Sequence, residues 1–194
     1  PPRSTLFPYT TLFRSLYVSG TTPYVVYMES GSSMRCKYLS GDTWTSFGDS
    51  FTVTYSYLYG YPYPKLFVDG STVYIAHNDG SDMYVKQGTG GAWTNMGGKA
   101  VSGASSNISR NAMKVIDGRI YIGYQSGSTG YIKMYDGAAW SFVGGNNSPN
   151  FDNGIIGSMP SSEADSFISI DFAYGSVFAA FTDGSVSGKI SVRY

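Results

Sequence analysis

The stretch of sequence that decides the fold reads Gly41-Asp-Thr-Trp44-Thr-Ser-Phe47-Gly48, a Gly-x-x-Trp-x-x-apolar-Gly motif. The motif returns twice, as Gly90-Gly-Ala-Trp93-Thr-Asn-Met96-Gly97 and as Gly137-Ala-Ala-Trp140-Ser-Phe-Val143-Gly144. The tryptophans lie about 49 and 47 residues apart. Because a landmark that recurs at a fixed spacing marks a repeat protein, we expect copies of one unit of roughly 50 residues.

Each unit also carries a Gly-Ser turn upstream of its tryptophan. These turns are Gly31-Ser32, Gly80-Ser81, Gly127-Ser128 and Gly184-Ser185, the last with no tryptophan after it. Before each turn come an apolar strand, a turn glycine and a second apolar strand, such as Leu66–Val68, Gly70 and Val73–His77. With a third strand and the Trp-bearing strand, each unit is predicted to form four antiparallel strands.

Four antiparallel strands per 40 to 50 residues are typical of a β-propeller blade. A content of 25 Gly and 18 Tyr with 13% charged residues also favours an all-β fold. A β-sandwich is the alternative, but it has no reason to repeat its tryptophan in register. We therefore predict a partial β-propeller, an open arc of about three and a half four-stranded blades, at approximately 16–53, 65–102, 113–147 and a truncated 167–194.

An open arc leaves blade faces unpaired, so the isolated chain is expected to be marginally stable, with the missing blades of a parent chain as its natural partners. The start of the chain supports a fragment. Thr5 to Ser15 reads TLFPYTTLFRS, the translation of a common sequencing-library adapter. We interpret residues 1–15 as non-native; an ordinary N-terminal strand is the alternative.

Composition excludes several classes of function. Thirteen basic and thirteen acidic residues cancel, and no Lys/Arg run is present, so neither a nucleic acid nor an anionic membrane is an expected partner. No apolar run approaches the roughly 18 residues of a spanning helix, so we expect no membrane insertion. Cys36 is the only cysteine, which excludes an internal disulfide or a CxxC pair.

The reactive residue types occupy repeat positions held elsewhere by inert ones. His77, the only histidine, stands where the other copies have Tyr27, Tyr124 and Phe181. Cys36 aligns with Val85 and Ile132, and the tryptophans are expected to pack between blades. His77 and Cys36 are therefore predicted to be structural residues, and not a catalytic base and a reactive thiol.

The loop 78–82 reads Asn-Asp-Gly-Ser-Asp, which favours a hairpin over a calcium loop because no distal Glu follows. No paired carboxylates, nucleophile elbow or phosphate-binding loop is found. We predict no catalytic residue, no cofactor and no metal ligand.

Between the first two blades, five tyrosines alternate with other residues. They are Tyr55, Tyr57, Tyr59, Tyr61 and Tyr63. Alternation places all five on one side of an extended strand. In a propeller such connections cross one face together with the turns between second and third strands, a face that commonly holds the binding site. The rings are predicted either to stack on a ligand or to cover the blade junction.

The last connection, Gly145 to Ser166, is roughly ten residues longer than its counterparts and contains Asp152, Glu163 and Asp165. A long insertion on one face of a repeat array often marks the binding side. A flexible surface loop is the default interpretation of such a connection.

From residue 16 to 194 the pattern resembles secreted bacterial propellers with Trp-containing blades, in the general style of kelch and sialidase-type repeats. Tyr27, His77 and Tyr124 stand where a kelch blade has a double glycine, and the sialidase-type Asp box is absent, so no catalytic residue is carried over. The resemblance implies a secreted or cell-surface protein.

The leading hypothesis is a non-catalytic propeller that binds a carbohydrate or a protein through its loop face. One alternative is the propeller portion of a glycan-active hydrolase or lyase whose acid and base lie outside this chain. Another is a structural spacer of a surface protein.

Overall fold

The computed structural model describes residues 14–54, 63–103, 111–144, 151–161 and 167–194, and their regular secondary structure consists of β-strands and one 3₁₀ turn, Gly184–Val186. The strands form four antiparallel sheets in chain order. The first sheet contains β1 (Arg14–Ser19), β2 (Thr22–Ser30), β3 (Ser33–Ser40), β4 (Thr43–Ser46) and β5 (Phe51–Thr52). The second contains β6 (Lys65–Asp69), β7 (Thr72–Asp79), β8 (Asp82–Gly88) and β9 (Thr94–Val101).

The third sheet contains β10 (Asn111–Ile116), β11 (Arg119–Ser126), β12 (Thr129–Tyr135), β13 (Trp140–Phe142) and β14 (Ile155–Ser158). The fourth contains β15 (Ile168–Ala173), β16 (Ser176–Asp183) and β17 (Lys189–Arg193). Each sheet is an up-and-down meander, as the repeat predicts. In the first and third sheets two short strands share the fourth position, because β4 and β5 both pair with β3, and β13 and β14 both pair with β12.

Turn chemistry sets the register of the hairpins. Between β10 and β11, Asp117 and Gly118 have φ of 50° and 73°, the pair of positive values that a two-residue type I′ turn requires. Between β7 and β8, the 78–82 segment is a hairpin in which Asp79 pairs with Asp82, as predicted.

The sheets pack face to face in an arc. The first strands of successive sheets are neighbours, since β6 contacts β1 and β10, and β10 contacts β15. An apolar cluster lies between each two successive sheets; the first joins Val26 and Cys36 of one sheet to Leu66 and Ile75 of the next. Four sheets arranged in this way form part of a β-propeller, so the predicted fold class is confirmed.

Strand β1 begins at Arg14, two residues before the predicted first blade. The Ser15 hydroxyl accepts a hydrogen bond of 3.2 Å from the Leu66 backbone N–H in the next sheet. Ser15 therefore takes part in packing between blades, while the proposed non-native origin of residues 1–15 stays a prediction.

Two tryptophans join neighbouring sheets, as the repeat predicts. The Trp93 indole Nε1 donates to the Asp49 carbonyl at 2.7 Å, and the Trp140 indole Nε1 donates to the Met96 carbonyl at 2.7 Å. In both pairs the donor and the acceptor belong to successive blades, so each tryptophan bridges back to the preceding blade.

The long last connection is only partly a loop. Residues 151–161 contain a turn closed by the Asp152–Ile155 bridge and then strand β14. Phe151, Ile156 and Met159 are buried against the third and fourth sheets. The described part of the insertion therefore completes the third blade; Glu163 and Asp165 lie outside the described residues.

Candidate functional site: the connection face

Where the connections between sheets pass the Gly-Ser turns, they form what we name the connection face, which includes Ser32, Val53, Thr54, Tyr63 and the Asp79–Gly80 turn. The Val53 N–H donates to the Ser32 carbonyl at 2.9 Å. In the third blade the Met159 N–H donates to the Ser128 carbonyl at 2.7 Å. In both blades the serine of the Gly-Ser turn therefore accepts a backbone hydrogen bond from the outgoing connection. Connections and turns share one face, as predicted.

The connection that carries the five tyrosines, residues 54–63, is named the tyrosine segment, and its described ends, Thr54 and Tyr63, are both attached to this face. At its start, the Thr54 N–H donates to Asp79 Oδ1 at 2.6 Å, and the Gly80 N–H donates to the Thr54 carbonyl at 3.0 Å. At its end, the Asn111 side-chain Nδ2 donates to the Tyr63 carbonyl at 3.1 Å. The first three blades thus each contribute to holding the segment.

Of the five predicted site residues, Tyr55, Tyr57, Tyr59 and Tyr61 lie outside the described residues. Tyr63 is described and half-buried, with φ of 23°, outside the extended region. Tyr63 therefore stands at a bend where the connection enters the second sheet, next to the buried Pro64.

Carboxylates beside this face hold backbone groups. Asp82 accepts from the Lys99 ammonium at 2.8 Å and from the Gly103 N–H at 2.9 Å, and its pKa is lowered first by Lys99 and then by Gly103. The pKa of Asp183 is also lowered, chiefly by the Ser185 hydroxyl, which donates at 2.6 Å. Both groups stay ionised at neutral pH and shape the turns around them.

A second set of anchors was missed by sequence reasoning. Gln125, 2% exposed, donates through Nε2 to the carbonyls of Gly127 at 2.9 Å and Pro160 at 2.8 Å. One blade later, Thr182 accepts from the Phe167 N–H at 3.0 Å through Oγ1. The available signal was a polar residue directly after the aromatic position in three copies; these residues are Asn78, Gln125 and Thr182.

His77 is an aromatic core residue, as predicted. Its ring is 1% exposed and lies 5.2 Å from the ring of Phe51 and 6.0 Å from that of Tyr84, between centroids. Burial lowers its pKa to about 4, and its Nδ1 lies 3.3 Å from the Asn78 carbonyl. A neutral imidazole closed off from solvent cannot act as a base on a solute.

Cys36 also matches its prediction. Its side chain is 0% exposed, like Val85 and Ile132 at the equivalent positions. Burial raises the pKa of the thiol to about 12, so the reactive thiolate is not populated at neutral pH.

A cleft at the opposite ends of the third and fourth sheets also escaped sequence reasoning. Its volume is about 380 Å³, and Arg119 lies among aromatic side chains there. The rings are those of Tyr121, Phe142, Phe151, Phe172 and Tyr194. Rings beside a guanidinium suit a polar ligand that has an apolar face.

Within the described part of the chain, no three His, Cys, Asp or Glu side chains are grouped to hold a metal ion. The same residues include no helix with the length and hydropathy needed to cross a bilayer. The described side chains of the connection face and of the cleft offer aromatic rings and hydrogen-bonding groups.

The fold and these surfaces define the chain as part of a β-propeller, and solved propellers are similar to it. It matches Bacteroides ovatus xyloglucan PUL GH43B with a TM-score of 0.58 and 13% identity, over 88% of this chain and 35% of that one. It matches an Aleuria aurantia lectin variant in complex with Fucα1-6GlcNAc with a TM-score of 0.55 and 20% identity, over 92% and 60%.

A third match is the fucose-specific lectin from Aleuria aurantia, with a TM-score of 0.54, 18% identity, and coverage of 92% of this chain and 59% of the lectin. The chain thus spans about a third of the GH43B protein and about 60% of the lectins. Neither the protein-family comparison nor the comparison with curated proteins gives a match. At sequence identities of 13% to 20%, the structural similarity shows the fold alone.

Proposed function

We propose that this chain is a carbohydrate-binding propeller whose connection face holds the ligand, with the tyrosines between Tyr55 and Tyr63 as stacking rings. The observation that carries the proposal is the double attachment of that segment, through Thr54 to Asp79 and through Tyr63 to Asn111. Attachment at both ends lowers the entropy that a ring-bearing segment loses when it closes on a ligand.

Sugar recognition fits the chemistry of the segment. Tyrosine presents an apolar ring to the C–H face of a sugar and a hydroxyl to its polar edge. The chain has a net charge of zero, which favours a neutral ligand over a polyanion. The fold similarity to a fucose-specific lectin supports this class of ligand, and a secreted or cell-surface location goes with it.

A glycan-array screen of the whole chain, followed by calorimetry with the best glycan, tests the proposal. Tyr57→Ala and Tyr61→Ala are each expected to weaken binding about tenfold, the loss of one stacked ring. Tyr174→Ala is the matched control, because Tyr174 is fully exposed in the β15–β16 turn at the opposite ends of the sheets. Unchanged binding in both segment variants would remove the tyrosines from the site.

The cleft between the third and fourth sheets provides a second arm of the same experiment. If Arg119→Ala weakens binding and Tyr57→Ala does not, the sugar binds in the cleft instead of on the connection face. Loss in both variants would indicate a global defect, which thermal unfolding of each variant detects.

A second candidate function is the propeller portion of a glycan-active hydrolase, supported by the fold similarity to the GH43B protein. The acid and the base would then lie outside this chain. The chain alone is expected to bind xyloglucan oligosaccharides without cleaving them. Chromatography of the oligosaccharides after incubation tests this expectation, because cleavage by this chain would contradict both candidate functions.

A further inference from the structure

Equivalent positions of the first strands differ sharply in exposure at one end of the arc. Val18 is 54% exposed, while Val68 and Val115, at the same register position, are each 4% exposed. Leu16 is 66% exposed, while its equivalent Leu66 is 6% exposed. We name Leu16 and Val18 the leading face.

The third strand of the last sheet shows the same contrast. Val192 is 59% exposed, whereas Cys36, Val85 and Ile132 are 0% exposed at the equivalent register position. Ile190 is 66% exposed, and its equivalents in the first and second sheets, Met34 and Met83, are both 0% exposed. We name Ile190 and Val192 the trailing face.

Inside the arc, these two kinds of face bind each other. Met34 and Cys36 of the first sheet lie in one apolar cluster with Leu66 and Val68 of the second. Met83 and Val85 likewise share a cluster with Val115 of the third sheet. Among the described residues the contact therefore occurs repeatedly inside the arc, while one half of it is exposed on the first sheet and the other half on the last sheet.

We propose that a second copy of this chain docks head to tail, with the leading face of one copy on the trailing face of the other. Two identical copies satisfy each other because the chain carries both halves of the contact, a heterologous arrangement that closes when the rotation allows. Two copies joined at both ends would hold eight sheets, within the range of about four to eight blades that propellers use. The surface that this copy would cover consists of four exposed apolar residues, whose equivalents inside the arc are buried.

Analytical ultracentrifugation of the whole chain over a concentration series tests the proposal. We expect the chain to form dimers or longer head-to-tail oligomers. Leu16→Lys and Val192→Lys should each raise the dissociation constant by about tenfold or more, because each places a charge in an apolar contact. Tyr174→Lys adds the same charge away from both faces and should leave association unchanged.

Mixing the two variants distinguishes head-to-tail docking from other contacts. The Leu16→Lys copy keeps its trailing face and the Val192→Lys copy keeps its leading face, so an equimolar mixture contains one intact contact and should regain association. A chain that is monomeric at every concentration, a Val192→Lys variant that associates normally, or a mixture that stays monomeric would each overturn the proposal.

Circular dichroism confirms that the variants fold, which both substitutions should allow because the two positions are more than half exposed. Leu16→Ser and Val192→Ser give a milder second pair. If these also leave association unchanged while folding normally, the two faces are not the contact.

Discussion

The indole of Trp93 lies against Gly48 of the preceding blade: a Cβ atom at Gly48 would be 3.3 Å from Trp93 Nε1 and 2.5 Å from the Gly91 carbonyl oxygen. The next junction is built alike, because a Cβ at Gly97 would overlap the ring of Tyr135 and approach Trp140. The final glycines of the first two Gly-x-x-Trp-x-x-apolar-Gly motifs therefore each receive the tryptophan of the following copy. One motif supplies both halves of the contact.

Replacing Trp93 with alanine should lower the free energy of unfolding by roughly 3 kcal/mol, because it removes inter-blade packing and leaves the Asp49 carbonyl without its indole donor. Trp44→Ala is the matched control. Trp44 is at the same motif position, but among the described residues no blade precedes it and its indole has no hydrogen bond, so a loss of about 1 kcal/mol is expected. Urea unfolding measures both, and equal losses would contradict the bridging role.

Gly48→Ala should destabilise the chain by about 3 kcal/mol, the sum of a left-handed backbone penalty and a clash with the Gly91 carbonyl. Gly41→Ala isolates the backbone part. Gly41 has φ of 59°, close to the 70° of Gly48, yet a Cβ there meets no atom within 4 Å. A loss near 1 kcal/mol is expected for Gly41→Ala; similar melting temperatures for the two variants would count against a packed glycine contact.

Burial of His77 should make stability depend on pH. Its folded pKa of about 4 lies below the ordinary value of 6.5, so between these values the unfolded chain binds a proton that the folded chain does not. Stability is therefore full above pH 6.5 and falls by about 3 kcal/mol as pH drops to 4. Asp79 and Lys86 are the charged groups that act on the ring. The pKa values of four carboxyl groups are also lowered, so protonation of these groups affects stability only below this pH window; they are Asp82, Asp136, Asp171 and Asp183.

His77→Phe should remove that pH dependence, because a phenyl ring does not titrate. The position should accept the ring, because Phe181 already occupies the equivalent position in the last sheet. Urea unfolding at several pH values between 4 and 7 provides the comparison. A variant whose stability falls as steeply as that of the parent chain would show that another group titrates.

Cys36 should resist thiol reagents in the folded chain. Its side chain is fully buried, and its pKa of about 12 leaves almost no thiolate at pH 8. Reaction with Ellman's reagent at pH 8 is expected to be complete within minutes in 6 M guanidinium and to follow the unfolding rate without denaturant. Rapid reaction of the native chain would contradict the burial of Cys36.

Much of the blade was predictable because a repeat compares each residue with its own equivalents. Tyr27, Tyr124 and Phe181 showed that the position of His77 takes a ring, and Val85 showed that the position of Cys36 takes a small apolar side chain. The recurrence of the tryptophans likewise predicted inter-blade packing. In each case the environment of a position could be inferred from the residue types that occupy it in the other copies, without knowing which atoms make the contact.

The division of the fourth strand into β4 and β5, and the assignment of β14 to the third sheet, were not predictable. Both depend on which segment returns to pair with the third strand after an interruption, and local propensity does not specify that partner. The anchors Gln125 and Asn111 escaped for a related reason, because their acceptors, Pro160 and Tyr63, are 35 and 48 residues distant in the chain.

The sequence by itself determined the repeat, the all-β class and the apolar identity of the positions between blades, because periodic burial leaves a periodic pattern of side chains. Only the tertiary structure decided which of those positions are covered. Val18 and Val68 carry the same side chain at the same register, yet one is exposed and the other buried, because burial depends on whether a neighbouring sheet is present. The tertiary structure also brought Thr54 to Asp79 and so attached the tyrosine segment to the connection face.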